Sequence, residues 1–425
     1  MRTERQRNTG SNVLLKRILV TFGLLAFVRM GTFLPVPGIE QSYITFYLQN
    51  SPIARFVNTF SNDNFFVLGL FTLNIFPYIN ASILMQVLIS TVPSLRKLQK
   101  EEGSFGRRRL NQIIRFICLG WSIIQSTSIA FFLKNILFDW NLQLAFEIVV
   151  CLTTGAMIVL WISELITEYG IGNGSSLLIF TNIISSLPSL GRSLISGESE
   201  GVSLITIFIA IVLFVITICG IILLQEGTRV IPLVSAKQLL QQPLMYSELP
   251  ESNYIPLRLN QAGVMPIIFT ATILVLPNYL INMGVLPSLD LPFLERYSKI
   301  IYWLSYFVFI LIFSYFYSTI VLNPKEITND LQKMSVTIPG VRPGKGTTYY
   351  LSQVMKRTTF LGATLLGIVS ILPNIIETIL QVSTFKGVGA TSLLILVGVT
   401  LDITREVRNI IISSFYKDML KTSNK

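Results

Sequence analysis

Apolar residues in this chain run in long blocks separated by short polar segments, where a soluble amphipathic helix would alternate with a 3.6-residue period. A helix needs about 20 mostly apolar residues to cross the hydrocarbon core. Ten blocks are candidates: Ile18 to Leu34, Ile75 to Val92, Ile113 to Leu133, Ala145 to Ile162, Ile171 to Leu187, Leu204 to Leu224, Val264 to Met283, Ile300 to Leu322, Phe360 to Leu380 and Thr391 to Ile403. The pattern predicts an all-α membrane protein of ten transmembrane helices. Five spans fall in residues 1–190 and five in 200–425, so the sixth starts on the opposite side from the first. The two pseudo-symmetric halves are then inverted repeats.

Local sequence supports that pairing. The second and seventh spans start alike, with Pro77-Tyr78-Ile79-Asn80-Ala81-Ser82 and Pro266-Ile267-Ile268-Phe269-Thr270-Ala271-Thr272. Proline is tolerated in a first helical turn, where its missing N–H costs no bond. The fifth and tenth apolar runs, Ser175 to Pro188 and Thr391 to Asp402, cover only about 20 Å at about 1.5 Å per residue. Short helices there are expected inside the bundle, beside a water-filled funnel. Residues 54–73, with Phe60-Ser61-Asn62-Asp63-Asn64-Phe65-Phe66, are too polar to span and too apolar for an ordinary loop; a half-inserted segment satisfies both constraints. A surface loop anchored by its Phe residues is the alternative.

Charge sets the orientation. Of 33 Lys and Arg, 26 fall in the N-terminal segment, the loops around 96–115, 229–258 and 325–357, and the C-terminal segment. Six fall in the alternate loops (Arg55, Lys134, Arg192, Arg296, Lys299 and Lys386), and Arg29 lies within a span. By the positive-inside rule, both termini are cytoplasmic or stromal. The chain is 51% hydrophobic and 13% charged, with mean hydropathy +0.63, which excludes an ordinary soluble domain. The net charge of +11 sits on one set of loops and points to anionic headgroups or a cytoplasmic partner rather than nucleic acid alone. The basic first seventeen residues precede an apolar run without a small-residue cleavage site, which predicts a retained first span. Richness in Ile, Phe, Asn, Ser and Lys, with no His, is the bias of an AT-rich genome such as that of a plastid or of certain bacteria.

Chemistry is sparse. Intramembrane ionisable residues mark enzymes and ion-coupled transporters, and here only Arg29, Glu147 and Glu377 are candidates. No His, carboxylate pair or activated Ser presents itself, so no catalytic residue, cofactor or metal is expected. Cys118, Cys151 and Cys219 are isolated and read as small buried hydrophobes. Gly170-Ile171-Gly172-Asn173-Gly174 lacks the strand and Lys of a phosphate loop. It reads as a helix reversal, with Gly170 ending the fourth helix and Asn173 or Ser175 capping the fifth. Inverted repeats also suit a secondary transporter for a small solute, the rival reading.

Five motifs carry a family resemblance: Leu34-Pro35-Val36-Pro37-Gly38-Ile39, Phe76-Pro77-Tyr78-Ile79-Asn80-Ala81-Ser82-Ile83, Gly170 to Gly174, Ala262-Gly263-Val264-Met265-Pro266, and Pro339-Gly340-Val341-Arg342-Pro343-Gly344. In order and extent they resemble the SecY/Sec61-alpha family of preprotein-translocase channel subunits. The resemblance implies an hourglass channel for unfolded preproteins with signal peptides, opening sideways between the second and seventh spans, where Asn80, Ser82, Gln86, Thr270 and Thr272 would line the lateral gate. It makes 54–73 the plug, with Phe60, Asn62, Asn64 and Phe65 in it. A pore ring would comprise Ile75, Ile79, Ser175, Ile179, Ile268 and Ile395, Ser175 departing from the usual aliphatic residue and making the seal smaller or wetter. The loops 225–260 and 323–357 would receive a SecA motor ATPase or a ribosome, with Arg342 as the contact. The first loop has Lys237-Gln238-Leu239-Leu240-Gln241-Gln242 where bacterial members carry a basic tip. A SecE-like small membrane subunit, optionally a SecG-like one, and the lipid bilayer complete the implied partners. The implied location is the plastid thylakoid membrane, with the bacterial inner membrane as alternative.

Overall fold

The computed structural model describes residues 2–37, 69–95, 98, 103–134, 140–195, 204–235, 254–261, 263, 265–267, 269–270, 292–380 and 390–423. Its helices are α1 (Arg2–Gly31), α2 (Phe76–Thr91), α3 (Gly103–Leu133), α4 (Leu142–Tyr169), α5 (Gly174–Ile195), α6 (Leu204–Glu226), α7 (Pro292–Val321), α8 (Pro324–Lys333), α9 (Lys345–Leu380) and α10 (Ala390–Ser423). Residues 265–267 and 269–270 are also helical and begin the expected seventh span. The strands are β1 (Thr228–Pro232), β2 (Val234–Ser235), β3 (Tyr254–Arg258) and β4 (Val336–Thr337). β1 pairs antiparallel with β3, Thr228 opposite Arg258, and β2 pairs antiparallel with β4.

The chain divides into two compact units, Met1–Glu198 with Val399–Lys425, and Ser199–Gly398. The break after residue 198 falls between the expected halves, while residues 399–425 group with the first unit. In the first unit α4 is the hub: it packs against α1, α3 and α5, and α2 packs on α3. In the second, α9 is the hub, against α6, α7 and α8, and it also touches β3. The fourth span with the first and third thus matches the ninth with the sixth and eighth.

Four described stretches are long and apolar enough to cross a membrane: Arg108–Phe131, Leu142–Tyr169, Trp303–Lys333 and Lys345–Leu372. Their surfaces carry uncovered Phe116, Ile124, Phe146, Trp161, Leu304 and Phe360. Such a helix exterior is costly in water and is what lipid requires. Cys118 is buried, but Cys219 is exposed on α6, correcting the expectation that all three cysteines are buried. A small sulfur-bearing side chain on a lipid-facing surface needs no protein cover. No group of three potential metal ligands occurs among the described residues.

The short fifth and tenth helices are also corrected. α5 has 22 residues and continues through position 188, and α10 has 34. The length of an apolar run limits what lipid can cover. Helix length depends on closing i to i−4 bonds, which polar residues do equally well.

Each unit has its own apolar packing. In the first, Val36, Leu73, Ala130, Leu133, Ile148, Leu152 and Ala156 form one cluster; Ala81, Cys118 and Leu160 form another, joining α2, α3 and α4. In the second, Ile231, Leu257, Leu331, Ile338, Leu351, Val354 and Met355 pack together. That last cluster belongs to the two long basic loops and the start of α9, outside the expected spans.

Candidate functional site

The first place of interest is the entry to α2. Leu70 N–H donates to the Leu34 carbonyl at 2.8 Å, and Pro35 bridges to Gly69. Phe71 and Leu73 are buried. Gly155 in α4 leaves the space: a Cβ there would run into the Leu70 carbonyl and approach the Phe71 ring at 3.3 Å. Asn74 takes φ 47°, and its Oδ1 accepts the Ile75 N–H at 2.8 Å. Asparagine tolerates the left-handed region because its short amide bonds locally. Pro77 follows in the first turn of α2, as the sequence predicts. Ile75 and Ile79, one turn apart, are then both buried.

Of the segment 54–73, residues 54–68 lie outside the described residues. Phe60, Asn62, Asn64 and Phe65, the proposed plug residues, lie outside the described residues, as do Ile268 of the proposed ring and Thr272 of the proposed gate. Its last residues, 69–73, are folded into the first unit.

The second place is the reversal between α4 and α5. Gly170 ends α4, its N–H on the Ile166 carbonyl at 2.8 Å. Gly172 has φ 81°, open to glycine without steric cost. Asn173 is the cap: its Oδ1 accepts the Ser175 N–H at 3.2 Å and the Ser175 hydroxyl at 2.8 Å. Ser175, which the family resemblance makes a wetting position of the ring, spends its one hydrogen on that cap. Ile179 lies one turn further along α5, half-buried, and Ile395 is half-buried on α10 in the second unit. The reversal is tied to α1 by Thr21, whose Oγ1 accepts the Ile171 N–H at 3.0 Å and donates to the Arg17 carbonyl at 2.8 Å. Thr167 accepts the Gly174 N–H at 2.9 Å. A Cβ at Gly172 would touch Ile403 of α10 at 3.6 Å.

Among the gate positions, Asn80, Ser82 and Gln86 are half-buried on α2, the Ser82 hydroxyl donating to the Ile79 carbonyl at 2.8 Å. Thr270 is fully buried, and its hydroxyl donates to the Pro266 carbonyl at 2.8 Å. Both hydroxyls are consumed within their own helices. Of the intramembrane ionisable candidates, Arg29 stacks over Phe33 at 5.4 Å, and Glu147 is exposed beside Gln143 at 3.2 Å. Sequence reasoning missed the bidentate pair of Arg115 with Glu164, at 2.8 and 2.7 Å between α3 and α4. Forty-nine residues separate the partners, so no local spacing announces it.

The third place is the platform built by the two basic loops. Asn323 caps α8, its Oδ1 accepting the Lys325 N–H at 3.2 Å. Thr348 of α9 reaches Thr328 of α8 at 3.1 Å and the Gly344 carbonyl at 3.2 Å. Gly344 has φ 91°, which turns the chain from the Pro339–Pro343 segment into α9. The Arg342 carbonyl accepts the Thr347 N–H at 3.1 Å and the Thr347 hydroxyl at 3.0 Å. The Arg342 side chain is exposed, and its guanidinium forms no hydrogen bond or ion pair among the described residues. The loop is thus held by Arg342's backbone while five N–H donors face outward.

The long apolar helices, the two hub-centred units and the folded basic loops define a polytopic helical membrane protein. The SecY family model matches residues 69–404, and the chain belongs to that family. A relative named protein translocase subunit SecY, from Trieres chinensis, is 56% identical over 414 residues, covering 96% of this chain and 97% of the relative. The protein of the same name from Synechococcus elongatus is 46% identical over 415 residues, covering 95% and 94%. The fold is similar to that of a SecY channel solved in a study of its plug domain, with TM-score 0.66 at 16% identity, covering 94% of this chain and 93% of that one.

Proposed function

We propose that this chain is the channel-forming subunit of a protein translocase, passing unfolded preproteins across a membrane and releasing apolar segments sideways. It is a multi-pass membrane protein of a channel family and not an enzyme. The observation that carries the reading is the platform: a folded, apolar-cored surface in the basic loops, presenting Arg342 with its donors unspent. A channel that carries no nucleotide site of its own needs such a surface for an external source of energy. A solute transporter instead couples through ionisable groups in its spans, and this chain has few.

The finer assignments follow from that reading. Ile75, Ile79, Ile179, Ile268 and Ile395 form an aliphatic waist that dewets when empty and offers a passing chain no strong site. Ser175 flanks it as a helix-cap residue. Residues 54–73 stopper the waist, with their folded end at 69–73 as anchor. The matching hub helices α4 and α9 support two inverted halves, 1–190 and 200–425, parting between the second and seventh spans. The platform takes a SecA-type motor or a ribosome, and a SecE-like subunit, with or without a SecG-like one, packs on the uncovered helix faces. The thylakoid membrane is the proposed location, in keeping with the 56% identity to the Trieres chinensis relative, with the bacterial inner membrane as the alternative.

The test is reconstitution with a SecE-like subunit and a motor. Preprotein should become protected from protease inside the vesicles. Ion-coupled uptake of a small solute, with no preprotein protected, contradicts the proposal.

A further inference from the structure

The Arg115–Glu164 pair belongs to neither the waist, the plug nor the platform, yet both partners lie within membrane spans. At about 1.5 Å per residue, Arg115 stands about 10 Å from the Arg108 end of its apolar stretch and Glu164 about 8 Å from the Tyr169 end of its own. Charged groups at such depth are costly unless paired, and they mark functional positions. Here one whole edge of the guanidinium is spent: Arg115 Nε and Nη2 donate to Glu164 Oε1 and Oε2 at 2.8 and 2.7 Å. A bidentate bond fixes the angle between two helices as well as their distance.

The position of each partner on its helix shows what the pair is turned toward. Arg115 falls on the α3 stripe of Ser122, Ser126 and Leu133, all buried, and away from the uncovered Phe116, Ile124 and Phe131. Glu164 continues the α4 edge of Thr153, Met157 and Leu160. Thr153 meets Ser126 of α3 at 3.0 Å. Leu160 packs with Cys118 of α3 and Ala81 of α2, and Met157 and Tyr78 lie against them. The pair therefore closes the α3–α4 seam where α2 joins it. Tyr78 and Cys118 are both within reach of the Glu164 charge, and Tyr78 is in the first turn of α2, next to Ile79. The seam is already held by the Ser126–Thr153 contact and by Ala130, Leu133, Ile148 and Leu152. What the ion pair adds is register.

We infer that Arg115 and Glu164 are positioning residues: their bidentate bond sets α3 on α4 and, through Tyr78 and Ala81, the place at which the start of α2 presents Ile75 and Ile79. The inference rests on the proposed role of those two isoleucines in the waist. Both partners and α2 belong to the first unit, so the clamp stays closed whether or not the proposed gate parts. It determines where α2 stands in the resting channel.

The test uses the full chain reconstituted with its small partner subunit. Resting ion leak, thermal stability in detergent and motor-driven transport of preprotein are measured for each variant. Arg115→Met combined with Glu164→Met replaces the pair by apolar side chains, which commonly keeps stability while the directed bond is lost. Stability should stay native and leak should rise about tenfold, within the range of coupling between contacting residues. Arg115→Glu combined with Glu164→Arg remakes the pair and should bring leak well below that of the methionine variant. If native channels carry preprotein, native leak in the methionine variant, or equal leak in the methionine and swapped variants, refutes the clamp while the translocase reading stands. If native channels carry none, the translocase reading fails first. Should the methionine variant fold poorly, Arg115→Lys decides, because it keeps the charge and loses the fork: raised leak at native stability supports the clamp, and native leak refutes it.

Discussion

The entry to α2 and the platform under α9 are built on opposite plans. In the first unit, Phe71, Leu73 and Ile75 are buried among helices, and polar groups there (Asn74, Thr21, Thr167, Asn173) serve only to end or start backbone segments. In the second, an apolar core of Ile231, Leu257, Leu351 and Met355 lies in the extramembrane loops and supports a loop whose Arg342 points outward. The first arrangement spends its polar groups on its own backbone turns, which suits a seal. The second spends its packing inward and leaves charge exposed, which suits a docking surface. The comparison predicts that seal and drive can be broken separately.

The largest effect should come from the first unit. Phe71→Ala removes a ring that fills the space left by Gly31 and should destabilise that unit by about 3–5 kcal/mol. Resting ion leak in reconstituted vesicles should rise together with a fall in thermal stability in detergent. A variant with native stability and native leak would remove the α2 entry from the seal. Leu351→Ala, at a fully buried platform position, should cost about 2–5 kcal/mol. Here motor-driven transport should fall while resting leak stays native, and protease should cut the loops 225–260 and 323–357 faster. A rise in leak would show that the platform core is not separate from the seal.

The smallest effect is expected at the α5 cap. Asn173→Ala should cost about 1 kcal/mol and release the Ser175 hydroxyl from its present acceptor. If that hydroxyl then wets the proposed waist, leak in plug-deleted channels should rise slightly; native leak in the same background would keep Ser175 out of the ring.

How much of this was legible in the sequence varies with the range of the interaction. The four described spans, the Pro77 turn and the Gly170–Asn173 reversal are local, and each is readable from a few neighbouring residues. Apolar length misled at α5 and α10, because a helix continues through polar residues that lipid would not cover. The Asn74 turn was hidden because a left-handed asparagine looks like any loop asparagine until its backbone is seen. A pair such as Arg115 with Glu164 joins residues 49 positions apart, matched only in space. No periodicity reports such pairings. The platform's core was obscured because its members come from two loops about a hundred residues apart, each reading as basic and polar.

Arg342→Glu tests the division between seal and drive most directly, since it reverses an exposed charge whose loop is held by backbone contacts. Motor-driven transport of preprotein and resting ion leak would be measured on the same vesicles. Transport should fall about tenfold or more, equivalent to at least about 1.4 kcal/mol of lost interaction, with leak unchanged. Native transport in that variant, or a leak that rises with the loss of transport, would contradict the account.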